Sequence, residues 1–521
     1  MSKSKAPEIR SVSAAQLAEL LVGLRKLLPD ALYEQVAGLL ETLQWVMEII
    51  ERKKTTISRL QRWIFGGSTE KTGNLFPKES PASKAREPVR GHGRNGVNQY
   101  AGALRVEVSH PSLRAGDACP ECPEGKGRLG PRQPSIIVRV TAQPIFSATV
   151  FELQQLRCNL CGRVFTAPAP PEAGTAKYDP NVGLMLGLLR YGNGLPHYRM
   201  EKMQKDFGVP LPQSTQWELM EKSTGDLTPV QEELIRVAAG AELLHNDDTP
   251  MRVQSLKKEK AGSERTGIFT TSILAQAGPH RIALFFTGGN HAGENLDLVL
   301  QNRAIDLDKP IQMCDALSRN RSKEFEVLLA HCLPHGRRQF VDVAENFPTE
   351  CQKVLESLGQ VFKHDAQAKE LNLSSEQRLR LHQEQSQPVM DALHAWMKEQ
   401  MDQKKVEPNS GLGEAIEYML NHWEPLTLFL RVAGAPLSNN ICERALKMAI
   451  LHRKNSLSYK TQNGARVGDL FMSLIHTCRL NGANPFDYLS ALQCHASAVR
   501  ANPSQWLPWN YTQVAAASPL V

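Results

Sequence analysis

From about residue 13 to 65 the apolar positions fall three and four apart. Leu17, Leu20, Leu21, Leu24, Leu27 and Leu28 form one stripe, and Pro29 interrupts it. Val36, Leu39, Leu43, Val46, Ile50, Ile57, Leu60 and Ile64 then continue in alternating steps broken at Lys53. Such positions share one helix face, and an a/d pattern held over about four heptads predicts a coiled coil. An amphipathic helix packed within its own subunit is the alternative. Arg52, Lys53, Lys54, Arg59 and Arg62 make the later part basic. From 66 to about 100 the pattern vanishes into Gly, Ser, Pro, Lys and Arg. That composition predicts a flexible basic linker, serving as a tether or as an arm for nucleic acid.

Strand-like runs at 136–140 (IIVRV) and 149–156 (TVFELQQL) lie between two Cys-x-x-Cys turns. From about 170 to 240 short apolar helices are broken by Gly-Asn-Gly-Leu-Pro and Gly-Val-Pro-Leu-Pro. The stretch from Asp206 to Trp217 has the outline of a helix-turn-helix, set against a plain packed helical module. Strands are then expected at 242–250, 266–274, 281–286, 310–317 and 325–333, with helices at 293–301 and 336–347. This alternation predicts a mixed α/β sheet. Residues 348–432 are rich in Glu, Gln, Lys and Leu and read as an all-helical insertion. Helices resume at 437–455, 467–478 and 484–493, and the Pro/Trp/Ala-rich end reads as a tail.

The chain is expected to be a multidomain α+β protein. Its parts are an N-terminal helical or coiled-coil region (1–70), a linker (71–105), a cysteine module (106–170) and a helical, DNA-binding-like module (171–238). An α/β core (239–347) follows, then the helical insertion (348–434), the last part of the core (435–500) and the tail (501–521). A chain of 521 residues exceeds what one core organises. The net charge of +7 permits nucleic acid as a partner without requiring it. No apolar run approaches the roughly 20 residues of a membrane span. The opening MSKSKAPEIRS lacks a signal-peptide apolar core, which makes the cytoplasm the default expectation.

Four of the ten cysteines form the pairs Cys119/Cys122 and Cys158/Cys161, each in turn-forming sequence. Thiolates on two turns joined by a hairpin can close a tetrahedral, structural Zn²⁺ site. The 35 residues between the pairs exceed the usual ribbon spacing of roughly 15–20. Cys314, Cys332, Cys351, Cys442, Cys478 and Cys494 are scattered and read as small buried hydrophobes.

Three acids stand at element ends: Asp247 on the first core strand, Asp315 at the end of a later one, and Glu443 near the start of a helix. Strand alternation turns Asp247 and Asp248 to opposite faces, and Asp247 is the one assigned to the site. Three converging carboxylates stay ionised only if cations neutralise them, and two Mg²⁺ (or Mn²⁺) ions suit that task. Arg444, Arg453 and Lys454 bring positive charge near Glu443, and His335, Arg337 and Arg338 lie at a strand-to-helix junction. These six are candidates for phosphate contact; a solvated helix start is the competing reading for the junction residues. Ser438, Asn439 or Asn440 is expected to cap the Glu443 helix.

Asp247-Asp248-Thr249-Pro250, Cys332-Leu333-Pro334-His335 and Ser438-Asn439-Asn440-Ile441-Cys442-Glu443-Arg444, with Arg453-Lys454-Asn455 beyond, occur in that order. Together they resemble the transposases of the insertion sequence 66 family. The resemblance extends to the N-terminal helix ending WIFGGSTEK, the four paired cysteines and Leu195-Pro196-His197-Tyr198-Arg199. The chain departs from the family pattern at Asp248, where Glu is usual. It departs again at Asp315-Ala316-Leu317, where Asp-Gly-Tyr is usual, and at Leu333-Pro334, where Trp-Ala is usual.

The resemblance implies a DDE transposase with a ribonuclease-H-like core, a zinc-ribbon-like module and divalent-metal chemistry at Asp247, Asp315 and Glu443. It implies DNA ends and target DNA as partners, oligomerisation through the coiled coil, and helper proteins of the same element. Two other readings remain beside it: an inactive DNA-end-binding protein that holds ends in synapsis, and a structure-specific nuclease on the same core.

Overall fold

A computed structural model of the chain describes residues 14–30, 32–40, 42, 75, 98, 105–118, 120, 129–133, 135–138, 145–157, 159, 163–259 and 266–517. The chain forms two compact units, 78–147 and the remainder. In the remainder lie helix α1 (Ala14–Arg25), a break at Pro29, and helical residues at 30, 32–40 and 42. Leu20, Val22, Leu27, Leu32 and Leu39 are exposed there. The later heptad positions, Leu43 to Ile64, lie outside the described residues, as do Cys119, Cys122, Cys158 and Cys161.

In the 78–147 unit, the Gly116 N–H donates to the Leu129 carbonyl at 2.8 Å and the Leu129 N–H to the Asp117 carbonyl at 2.9 Å. These bonds join residues that flank the first cysteine pair in sequence. In the larger unit, β1 (Gln155–Arg157) and β2 (Val164–Thr166) pair antiparallel around the second. Among the described residues, the strands expected at 136–140 and 149–156 are largely absent. Residues 136–138 and 149–154 are exposed and irregular, and only 155–157 form strand. An apolar run becomes strand only where a neighbour accepts and donates its backbone hydrogen bonds.

Helices α2 (Asn181–Gly187), α3 (His197–Asp206) and α4 (Gln213–Ala239) precede the central sheet. Leu227, Val230 and Leu234 of α4 lie in the same apolar core as the sheet residues Leu244, Ile273 and Leu284, so α4 packs directly on the sheet. The sheet consists of β3 (Leu243–Pro250), β4 (Phe269–Ala277), β5 (His280–Gly288), β6 (Ile311–Cys314) and β7 (Leu328–His331). Its order is β5-β4-β3-β6-β7: β5, β4 and β3 run antiparallel, and β6 and β7 join parallel to β3. Helix α5 (Ala292–Leu300) separates β5 from β6, and α6 (Leu333–Val343) follows β7.

The insertion supplies α7 (Pro348–Glu370), α8 (Ser375–Leu381), α9 (Gln387–Asp402) and α10 (Gly411–Asn421). Val354, Leu358, Met390, Leu393 and Ile416 from these helices build a second core with Ile311, Met313 and Ala330 of β6 and β7. The chain then returns as α11 (Asn440–Ser456), α12 (Gln462–Leu480) and α13 (Pro485–Cys494).

Helix α12 covers the free edge of β5 with polar side chains four residues apart. Asp469 Oδ2 accepts from the Thr287 N–H (2.7 Å), Ser473 Oγ from the Phe285 N–H (2.9 Å), and Thr477 Oγ1 from the Ala283 N–H (3.1 Å). Asn481 completes the series, taking the Arg281 N–H at 3.2 Å and donating to its carbonyl at 2.7 Å. Four helix residues match two strand residues because they rise about 6.0 Å against about 6.8 Å. The helix thus shields a row of backbone groups that would otherwise invite another strand.

Two expectations need correction. The residues from 501 onward are not a tail: Trp506, Leu507 and Tyr511 are buried in the main core, and the Tyr488 hydroxyl donates to the Trp506 carbonyl at 2.7 Å. Cys494 is exposed, whereas Cys314, Cys332, Cys351, Cys442 and Cys478 are buried as expected.

Candidate active site

Strands β3 and β6 run side by side, with His245 opposite Met313. Two residues further along each lie Asp247, still on β3, and Asp315, just past β6. Parallel register therefore brings the two acids to the same end and the same face of the sheet. The Asn320 amide joins them: its Nδ2 donates to Asp315 Oδ1 at 2.6 Å and to Asp247 Oδ1 at 3.4 Å. Asn320 is fully buried, and its own carbonyl accepts from Asn246 Nδ2 and Gln312 Nε2, each at 2.7 Å.

Glu443 arrives on α11, which crosses this face of the sheet. Three side chains seat the helix. Cys442 Sγ donates to the Ser272 carbonyl of β4 at 3.3 Å, Arg453 holds Thr249 Oγ1 at 3.1 Å and the Pro250 carbonyl, and Asn439 is locked to β3. Asn439 is the N-cap residue, but its side chain makes no capping bond, contrary to expectation. Its Oδ1 instead meets His245 Nδ1 at 3.0 Å, and its Nδ2 donates to the Asn246 carbonyl at 3.1 Å. Burial lowers the His245 pKa to about 4, so the neutral ring serves as the donor.

The crowding is legible in Asp247. Its pKa is raised to about 7, first by burial, then by the charge of Asp315, with smaller contributions from Asp248 and Glu443. An N–H of Asp248 on Asp247 Oδ1, at 2.8 Å, opposes the rise. Asp247 and Asp315, 68 residues apart in sequence, are thus joined through Asn320, and Glu443, 128 residues further on, adds the smallest of the charge contributions to the Asp247 pKa. All three offer oxygen, the donor that hard divalent cations such as Mg²⁺ take.

Asp248 points the other way. Its side chain is fully buried, 3.1 Å from His291 Nδ1 and 3.3 Å from Arg319 Nη2. The other expected contact residues divide. Arg338, Arg444 and Lys454 are exposed, Arg337 is half-buried, and Arg453 is occupied in seating α11. His335 turns inward, with Nδ1 3.9 Å from Glu443 Oε1. Asn320 and His245 carry no signal in the sequence, and Asn439 reads there only as a cap; each is a buried polar residue whose partner lies on another element.

Comparison with known proteins puts the chain among DNA-processing enzymes, the transposases. It belongs to the Transposase IS66 family, whose model matches residues 181–467, more than half the chain. The matched span includes Asp247, Asp315 and Glu443 and excludes the cysteine pairs. Among similar proteins is the uncharacterized protein y4hP of Sinorhizobium fredii (strain NBRC 101917 / NGR234), 26% identical over 387 residues, which cover 70% of this chain and 68% of the relative. The uncharacterized protein y4jD of the same strain is 26% identical over 374 residues, covering 68% of this chain and 70% of that protein.

Proposed function

We propose that the protein cuts transposon ends and joins the freed 3′-hydroxyl to target DNA by two-metal phosphoryl transfer, with Asp247, Asp315 and Glu443 holding the ions on a ribonuclease-H-like core. The observation that carries this reading is the Asn320 amide shared by Asp247 and Asp315, with Glu443 near enough to act on Asp247. The strand order β5-β4-β3-β6-β7, antiparallel on one side and parallel on the other, supports the core assignment. Bound Mg²⁺ (or Mn²⁺) supplies activation of the attacking hydroxyl or water and stabilisation of the leaving oxygen.

The protein's share is preorganisation. Asn320 fixes two carboxylates, His245 and Asn439 fix the helix that presents the third, and exposed Arg338, Arg444 and Lys454 receive DNA phosphates. Cys119, Cys122, Cys158 and Cys161, each pair in turn-forming sequence, are the ligands of a structural Zn²⁺ in this reading. The exposed apolar residues of the N-terminal helices support self-association there, which would hold two DNA ends together. Element-encoded helper proteins belong to the same reading.

The Asn320 amide shared by Asp247 and Asp315 favours an enzyme over an end-binding relic. The test is Glu443→Gln in a strand-transfer assay with Mg²⁺ or Mn²⁺: joined products should fall to background while DNA binding persists. Undiminished joining would refute the assignment of Glu443. Nicked products without joined strands, from the parent protein, would turn the reading to a nuclease.

A further inference from the structure

We propose that Cys332, His335 and Glu443 form a second metal site, for a thiophilic divalent cation of the Zn²⁺ class, whose occupation withdraws Glu443 from Asp247 and Asp315. The metal site rests on geometry alone; its inhibitory consequence rests on the role proposed above for Glu443.

One ligand atom from each of the three residues lies within 4.8 Å of the other two. Cys332 is the N-cap of α6 and His335 stands three residues on, so both side chains gather at the same helix start. That start faces the first turn of α11, where Glu443 lies. The Asn439 N–H donates to Cys332 Sγ at 3.3 Å, and the same residue's backbone carbonyl accepts from the Glu443 N–H at 3.1 Å. The junction between the two helices thus holds sulfur and carboxylate together.

His335 Nδ1 is buried and makes no hydrogen bond, although a carboxylate oxygen stands 3.9 Å away. A cation between the two would give that nitrogen its missing partner.

Donor chemistry selects the ion. Sulfur and imidazole nitrogen favour Zn²⁺, Cd²⁺ or Co²⁺ over Mg²⁺, whereas the all-carboxylate cluster beside them favours Mg²⁺. A free cysteine thiol carries a proton that its metal-bound thiolate does not. Binding therefore releases one proton as the sulfur–metal bond forms, with no oxidation or reduction. The ion has a way in, since the side chains of His335 and Glu443 keep 27% and 35% of their exposure. Three protein ligands leave a fourth tetrahedral position for water. Glu443 is the ligand common to both sites, and a carboxylate drawn toward Cys332 and His335 is lost to the catalytic pair.

The test uses the full chain, with its paired cysteines intact, and its Cys332→Ser and His335→Ala variants. Each is dialysed against Zn²⁺ in Mg²⁺ buffer, and bound zinc per chain is counted by atomic emission. Each variant should hold one equivalent fewer than the parent. In strand transfer at fixed Mg²⁺, the Zn²⁺ concentration that halves each protein's own rate should rise about 10- to 100-fold in the variants. Equal zinc content in the parent and His335→Ala overturns the site, whether or not Cys332→Ser folds. A lost equivalent with unchanged Zn²⁺ sensitivity overturns the inhibitory role. A parent without strand transfer under any metal would refute the proposed function, and the zinc count would still decide the site.

Discussion

Asp469→Asn separates a buried acid from a buried carboxylate at the covered edge of β5. Asp469 is buried, accepts from the Thr287 N–H at 2.7 Å, and lies 2.6 Å from Thr287 Oγ1, which in turn meets Thr270 Oγ1 at 2.8 Å. A protonated acid satisfies all of these groups. Burial is the largest influence on it and raises its pKa from 3.8 to about 7, against the opposing hydrogen bonds from Thr287. In the unfolded chain the group loses its proton near its ordinary value. Between about pH 4 and pH 7 the folded state therefore holds a proton that the unfolded state has released, and stability falls as pH rises through that window. At ~1.4 kcal/mol per pH unit, the loss amounts to about 4 kcal/mol by neutrality. Asparagine keeps the acceptor for the Thr287 N–H and does not titrate.

The assay is denaturant unfolding of parent and variant at about pH 5 and about pH 8, where the difference between the two proteins cancels their other titrating groups. The parent should gain on the variant at the lower pH. Parallel pH profiles, or a parent that gains at the higher pH, would refute the reasoning.

Asn320→Ala removes the amide bridging Asp247 and Asp315, while the backbone carbonyl that anchors residue 320 to Asn246 and Gln312 survives. Strand transfer should fall about 10- to 100-fold with a raised Mg²⁺ requirement, read from a metal titration at unchanged circular dichroism. Gly293→Ala would drive a methyl group into the Arg321 backbone carbonyl, next to Asn320. Over-packing of this kind costs about 1–3 kcal/mol, so the melting temperature and strand transfer should drop together. Ser473→Ala strips the Phe285 N–H of its acceptor and should cost about 1–3 kcal/mol in denaturant unfolding.

The strands and helices of the core were legible because their apolar period is local. β3 is observed at Leu243–Pro250 against an expected 242–250, and α5 at Ala292–Leu300 against 293–301. Alternation along β3 also separated Asp247 from Asp248 without any structure. What stayed hidden depends on partners far away in the chain. Trp506 is buried by a core assembled from elements hundreds of residues upstream, so its Pro- and Ala-rich surroundings gave the wrong signal. Asn439 looked like a cap because its type favours capping, yet a buried histidine 194 residues earlier claims its side chain. The four-residue spacing of Asp469, Ser473, Thr477 and Asn481 is visible in the sequence, but it acquires meaning only beside an unpaired strand edge. The strand-like runs around the cysteines mislead for the converse reason, having the side-chain pattern without the pairing.

Asp248 shows how one departure from the family pattern is accommodated. On the face of β3 away from Glu443, its buried carboxylate contacts Arg319 and His291, and Arg319 also lies over the Phe269 ring, 5.5 Å from its centre. The next residue after Arg319 is Asn320, whose amide reaches the opposite face and holds Asp247 and Asp315. Adjacent acids of β3 therefore act on one short loop from both sides: Asp248 anchors it from behind, and Asp247 receives it in front. A slip of one residue in the pairing of β3 would exchange these roles, burying Asp247 against Arg319 and presenting Asp248 to Glu443. The bonds of Asn439 to His245 and to the Asn246 carbonyl act against that slip, because they tie the helix carrying Glu443 to the two residues before the acids. Register, rather than the identity of the second acid, is what this arrangement protects, and a shorter carboxylate at 248 suffices so long as Arg319 can reach it.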